Sequence, residues 1–280
     1  MPGTLYRLAS FTQDPEGGNP AGVWIGDALP DAATMRNIAA EVGYSETAFL
    51  GPEHDGVRTV RYYSPEAEVS FCGHATVAAG VVLGRLNGAG TYRLATAVGE
   101  VPVSVERVDG DWHAALVSVA PEQRAVSPAL VEAALTSLGW AAAELDPELP
   151  PALAYAGAWH LVLAVASRAR LDELSYDFAS LKALMLRENL TTLQLVWRES
   201  ATCFHVRDPF PVGGVIEDPA TGAAAAALGG YLRDAGLIEA PARLTLRQGE
   251  AMGRPSRLEV EVPATGGIVV SGTAVSLQAP

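Results

Sequence analysis

The chain has a single lysine, Lys182, in 280 residues, and only two cysteines, Cys72 and Cys203. So few cysteines exclude a disulfide framework, their spacing matches no metal motif, and a reducing compartment is the default. Lys182 lies on an ordinary helix pattern, which leaves no lysine in an apolar motif suited to a Schiff base. Lys and Arg together number 19 against 32 Asp and Glu, a formal net charge of −13, with no basic run anywhere. A nucleic-acid surface needs clustered cations, so that class of partner is excluded. No apolar segment reaches the ~18 residues of a membrane span. The N-terminus lacks the charged-then-apolar order of a signal peptide, and the expected location is the cytoplasm. There is no G-x-S-x-G elbow, no P-loop and no dinucleotide fingerprint. His54, His113, His160 and His205 form no ligand cluster, so no metal is expected, and with these mechanisms set aside no cofactor is expected either.

What is present is a globular composition, 49% hydrophobic and 18% charged. The length suits one large domain or two of about 140 residues. Two stretches organise the chain: Phe71-Cys72-Gly73-His74-Ala75-Thr76 and Asp218-Pro219-Ala220-Thr221-Gly222-Ala223. Each opens a run of small apolar residues that reads as a helix buried on all sides, expected over 74–86 and 219–235. Helix starts with Gly and a polar residue present backbone N–H groups, and two of them suggest two halves of one anion-binding cleft. Each helix leads to a strand and a Gly-Glu pair, with Gly73 to Gly99 spanning 26 residues and Gly222 to Gly249 spanning 27. This register predicts a duplicated α+β unit, each helix wrapped by its own curved sheet. The division expected is an N-terminal lobe of 1–122 and a C-terminal lobe of 123–280.

Alternation predicts strands over 5–11, 21–25, 44–50 and 57–63, with a helix over 31–42 closed by Gly43. The stretch 121–127 reads as a connector, 155–166 as one strand carrying His160, and 208–217 as a loop. Asp218 before Pro219 has the form of an N-cap followed by a first-turn proline, which by itself requires no further role. Glu46 shares a strand face with Ala48 and Leu50, and its bland reading is a solvated strand entrance. His74 stands at a helix start, where a histidine can orient a substrate or relay a proton; most lone histidines are structural. A carboxylate, a histidine and two helix starts suit proton movement beside a carboxylate or carbonyl.

Five ordered motifs carry a resemblance over nearly the whole chain. They are Gly18-Asn19-Pro20-Ala21-Gly22-Val23, Ser45-Glu46-Thr47-Ala48-Phe49, the Phe71–Thr76 stretch, Glu217-Asp218-Pro219-Ala220-Thr221-Gly222, and Gln248-Gly249-Glu250-Ala251-Met252-Gly253-Arg254-Pro255-Ser256. Together they resemble the PhzF-like phenazine biosynthesis isomerases of the diaminopimelate epimerase-like fold. The resemblance implies two similar lobes with the active site between them, and a last strand, about 268–277, that can return to the first lobe. It also implies a homodimer, no cofactor, and isomerisation of a small carboxylate-bearing substrate similar to trans-2,3-dihydro-3-hydroxyanthranilate. In that frame Glu46 is the general acid/base, while His74 and Asp218 anchor and polarise the substrate. Asn19 and Ser45 line the pocket, and the backbone at Gly73, Gly222 and Ala223 receives the carboxylate. The family often has Ser where this chain has Ala223, which removes a hydrogen bond worth about 0.5–1.5 kcal/mol. The related epimerases use two opposed thiols; Cys72 falls near one such position and Cys203 lies too early for the other. Two alternatives accompany the isomerase reading: a carboxylate-based epimerase using Glu46 with Asp218, and a non-catalytic dimeric small-molecule binder.

Overall fold

The computed structural model describes residues 3–278. The chain divides into two units, Met1–Val117 with Ser271–Pro280 and Ser118–Val270.

In the first unit, β1 (Gly3–Ser10) and β2 (Asn19–Gly26) pair antiparallel over their full length. Helix α1 (Ala32–Val42) crosses over to β3 (Glu46–His54), which runs parallel to β2. The ends of α1 follow its sequence: Asp31 Oδ1 accepts from Thr34 N at 2.8 Å, and Gly43 closes the helix at φ 73°. Then come β4 (Val57–Tyr63), antiparallel to β3, and the short β5 (Glu68–Val69). After α2 (Gly73–Asn87), β6 (Gly90–Thr96) runs parallel to β4, and β7 (Gly99–Val108) and β8 (Asp111–Val117) continue antiparallel. The last strand of the chain, Val269–Ser276, pairs with both β1 and β8. That pairing closes a ring of eight strands around α2, which packs against β1, β2, β3, β6, β7 and β8. Every α2 residue from His74 to Gly84 is buried. A helix enclosed this way needs small apolar residues on all faces, which the Ala, Val and Gly of this stretch supply.

The second unit contains β9 (Glu122–Ala125), α3 (Pro128–Leu138), β10 (Ala152–Tyr155), β11 (Trp159–Ala164), α4 (Arg168–Asp172), α5 (Phe178–Glu188) and β12 (Thr192–Arg198). It continues with β13 (Cys203–Pro209), β14 (Glu217–Asp218), α6 (Gly222–Asp234), β15 (Ala242–Gln248) and β16 (Ser256–Val262), and the chain ends on β17, the Val269–Ser276 strand. β9, β10 and β11 pair antiparallel, β12 joins β11 in parallel, β13 returns antiparallel, and β15 lies parallel to β13. Alternation sorts β11 and β12 into two faces. Leu161, Leu163, Leu193 and Leu195 pack outward with Leu135 of α3 and Leu181 and Met185 of α5; each such side chain contributes about 1.5–3 kcal/mol. Their neighbours in sequence, His160, Thr192 and Gln194, are the polar residues buried on the opposite face.

Four local expectations change. The loop 208–217 gives up both its ends to strands, because β13 and β14 pair Asp208 with Asp218 and Pro209 with Glu217. The connector 121–127 holds β9, which the partner strand β10 makes possible although its own residues are all exposed. The predicted strand 155–166 is two strands broken by a turn at 156–158, where Gly157 takes φ 112°. Helix α6 starts at Gly222 with Thr221 as N-cap, so Asp218 is not the cap and Pro219 is not in the first turn. Gln248 explains this last shift: its Oε1 accepts from Thr221 N at 3.0 Å and its Nε2 donates to Asp218 O at 2.8 Å. The side chain thereby takes the backbone groups that a longer helix would have used.

Candidate active site

In the first unit, polar groups gather at the start of α2. Glu46 opens β3, and its side chain is 19% exposed, neither solvated nor sealed. Its Oε2 lies 3.5 Å from His74 Nε2 and 3.6 Å from Cys72 Sγ. Ser45 Oγ is 3.4 Å from His74 Nε2, and Cys72 Sγ is 3.4 Å from His74 Nδ1. One imidazole thus touches a hydroxyl, a carboxylate and a thiol, and which ring nitrogen carries hydrogen follows from those partners. Its backbone is fixed as well, because Ser10 Oγ donates to His74 O at 2.7 Å. Asn19, buried at the start of β2, stands opposite Ser10 in the β1–β2 register. Behind these groups Thr76 Oγ1 bonds Cys72 O and Tyr62 OH, each at 2.6 Å. Desolvation pushes the Tyr62 phenol above its ordinary range, so it remains a neutral hydrogen-bonding partner there.

The N-cap of α2, Cys72, makes no side-chain cap bond, and the helical ladder begins only with Thr76 N to Cys72 O. The N–H groups of Gly73, His74 and Ala75 precede that ladder and form the kind of helix start that attracts anions.

In the second unit, Asp218 Oδ2 accepts from Thr221 Oγ1 at 2.6 Å. Gln248 holds the same turn from behind, through the two bonds above and a third to Thr221 Oγ1 at 3.0 Å. The Thr221 hydroxyl therefore faces Asp218 and does not cap α6, whose ladder starts at Ala225 N to Thr221 O. Gly222, Ala223 and Ala224 present the N–H groups ahead of it. The loop entering this turn is tied down by a fork: Arg207 donates to Glu217 through Nε at 3.0 Å and Nη2 at 2.6 Å, and both side chains are largely buried.

The predicted site residues fall into two groups. Glu46, Ser45, His74, Gly73 and Asn19 gather around the α2 start, while Asp218, Gly222 and Ala223 lie in the α6 turn. Of the residues that fix them, Thr76, Thr221 and Gln248 lie inside the five motifs without a role expected for them, and Ser10 and Tyr62 lie outside them. Asp208 is also missed by motif, although it follows Phe204 and Val206 on the buried face of β13 and alternation alone points it inward.

Among the described residues, two sets of side chains could hold a metal ion, the donor atoms within each set lying within 4.8 Å of one another: Glu46 with Cys72 and His74, and Glu199 with Cys203 and His205. The sequence spacing gives no sign of the second, because Glu199 and Cys203 meet across the neck of the β12–β13 hairpin.

A family model described as phenazine biosynthesis-like protein matches residues 8–279. The uncharacterized isomerase YfhB of Bacillus subtilis is 30% identical over 284 residues, covering 97% of this chain and 95% of that protein. The crystal structure of a PhzF family phenazine biosynthesis protein from Bacillus anthracis superposes with a TM-score of 0.89 at 23% identity, over 99% of this chain and 98% of that one. A predicted epimerase from Pseudomonas aeruginosa superposes at 0.85 with 25% identity, covering 98% and 96%.

Proposed function

The chain belongs to the phenazine biosynthesis-like family, and from that membership we propose that it is a cofactor-independent isomerase of a small carboxylate-bearing molecule. The observation that carries this reading is the Glu46 carboxylate set 3.5 Å from His74 Nε2 at the α2 start. A partly buried carboxylate beside an imidazole and helix N–H groups can take a proton from carbon while the charge left on the substrate is met by fixed donors.

In the step proposed, Glu46 removes the proton as a carbon–hydrogen bond breaks, and the electron pair moves into the adjoining unsaturated system. The same carboxylic acid returns the proton at a second carbon, so the reaction is redox-neutral. Ser45 and Cys72 hold the imidazole, and His74 orients the hydroxyl- or amino-bearing part of the substrate. Asp218 would anchor an amino or hydroxyl group, with Thr221 and Gln248 fixing its direction. The N–H groups at Gly73 in the first unit, and those at Gly222 and Ala223 in the second, each suit a carboxylate, and Asn19 would line the pocket at the α2 start. Ala223 offers only its N–H, which favours a substrate whose carboxylate needs no hydroxyl donor.

The test is proton exchange in deuterium oxide, followed by NMR, with amino- and hydroxy-cyclohexadiene carboxylates as the panel. Glu46→Gln is expected to reduce exchange about 10²–10⁴-fold. Exchange that persists in this variant would sink the acid/base assignment.

The way Thr221 fixes Asp218 supports a second reading, an epimerase in which Asp218 is the other acid/base. Deuterium wash-in accompanied by loss of optical rotation would single it out. Cytoplasmic location and a homodimer belong to the same proposal; light scattering that returns a monomer mass would remove the dimer.

A further inference from the structure

The chemistry above leaves unused a carboxyl group that sits beneath the α6 turn. Asp208, next to last in β13, has no exposed surface. The β13–β14 bridge pairs it directly with Asp218. Directly opposed residues on antiparallel strands share a face, with Cβ atoms about 4.5–5.5 Å apart, and like charges there are destabilising. Burying one of the two in ionised form without a counter-ion is costlier still.

Its neighbours supply no counter-ion. Asp208 Oδ1 accepts from Thr192 Oγ1 at 3.3 Å, and Oδ2 has no hydrogen-bond partner among the described residues. The Thr192 oxygen also lies 2.7 Å from His160 Nδ1. A hydroxyl has one hydrogen, so a Thr192 that donates to Asp208 accepts from His160 Nδ1–H. The ionisable groups facing Asp208 are His160 on β11 and Glu217 and Asp218 on β14. His160 is kept neutral by burial, which pushes it down to about 3. Glu217 is already matched by Arg207. Thr221 of the α6 turn lies near enough to Asp208 to offset part of the cost of its charge, but its one hydrogen goes to Asp218 Oδ2 at 2.6 Å and it carries no charge.

We propose that Asp208 and Asp218 share one proton as a dyad, with Asp208 as its buried holder and Asp218 as the member that meets substrate. Asp208 is thus a positioning residue that acts through Asp218; only the contact with substrate rests on the isomerase reading. When Asp218 is called on for a proton, the O–H bond on Asp208 breaks as a new one forms on the Asp218 carboxylate, which then holds the pair's proton. The pair carries one negative charge before and after this transfer. A lone ionised carboxylate only accepts, whereas the dyad both accepts and donates, which a proton-moving site requires. Desolvation, followed by the charges of Asp218 and Glu217, raises the Asp208 carboxyl well above the usual range, in keeping with this arrangement.

The test is an NMR titration of the full-length chain labelled at the aspartate carboxyl carbons, comparing wild type, Asp208→Asn and Asp218→Asn. In wild type one carboxyl is expected to titrate well above the others. Asp208→Asn should lose that step. Asp218→Asn should keep it but move it down, because the neighbouring charge is gone. A high titration that is unchanged in Asp218→Asn overturns the dyad, as would wild-type aspartates that all titrate in the ordinary range. If Asp208→Asn does not fold, the Asp218→Asn comparison alone decides. The titration needs no substrate, so a silent compound panel would remove the isomerase reading and leave the dyad intact.

Discussion

Asp208 and His160 are linked through one threonine hydroxyl, and burial moves their titrations in opposite directions. His160 has an ordinary value of 6.5 and falls to about 3 when folded. Between those values the unfolded chain binds the extra proton, so acidification through this window favours unfolding. For Asp208 the folded value lies above the ordinary 3.8. There the folded chain holds the extra proton, and raising the pH above about 3.8 favours unfolding. Asp208→Asn, which keeps the shape without the charge, should therefore change the urea midpoint little at pH 4 and raise it increasingly towards pH 8. A variant midpoint that stays parallel to wild type across this range would show that Asp208 is not a buried titrating group. The Arg207–Glu217 fork makes a different prediction. Arg207→Ala strands a buried carboxylate and is expected to cost about 3–5 kcal/mol in urea unfolding, whereas Arg207→Met with Glu217→Leu should recover most of it.

At the scale of elements, α2 makes its prediction through glycine. A Cβ on Gly84 would lie 2.5 Å from Val105 Cγ1 and 2.8 Å from the Trp112 ring; on Gly80 it would lie 2.7 Å from the Ala114 Cβ. In an open helix Gly→Ala gains about 1 kcal/mol of propensity. Here the side chains of β7 and β8 occupy that space, and overpacking costs about 1–3 kcal/mol. Gly84→Ala should thus lower the melting temperature, and a rise would mean that α2 is not enclosed by these strands. The position of α2 was legible because a 15-residue run this rich in small apolar residues on every face can only be interior. Helix α3 carries both its bounds in its own sequence: Ser127 accepts from Leu130 N at 3.2 Å, Pro128 follows, and Gly139 closes it at φ 65°. The same grammar misplaced the start of α6, since Asp218-Pro219 has the form of a cap and only Gln248, far along the chain, redirects it. Among the site residues, Glu46, His74 and Asp218 lay inside motifs and could be read. Ser10 lies in no motif, and Thr221 and Gln248, although inside motifs, have roles that exist only after distant strands have brought them to the helix starts.

At the scale of the whole chain, the first unit depends on residues from both ends of the sequence. β17 pairs with β1 through Leu8↔Ser276, Ala9↔Val275 and Ser10↔Ala274, and Phe11 N donates to Thr273 O at 2.7 Å. Phe11 adopts φ 65°, an unusual conformation for a bulky residue, and its ring lies where a Cβ on Gly272 would fall 2.5 Å away. Arg85 of α2 adds bonds to Ser276 Oγ and Ala274 O, each at 2.7 Å. Nothing local in residues 3–117 announces a missing strand, yet without β17 both β1 and β8 become open edges and the ring around α2 is broken. A chain ending at residue 270 is accordingly expected to lose protection from hydrogen exchange throughout α2, although every residue of that helix is unchanged. Gly272→Val in the full-length chain should do the same more mildly, by displacing the Phe11 ring while leaving the strand in place. Because Ser10, the partner of the His74 carbonyl, lies on the β1 segment that β17 clamps, both variants should also slow the exchange chemistry proposed for Glu46. Retention of α2 protection in the truncated chain would show that seven strands suffice to enclose the helix and that the terminal strand has no structural part in the site.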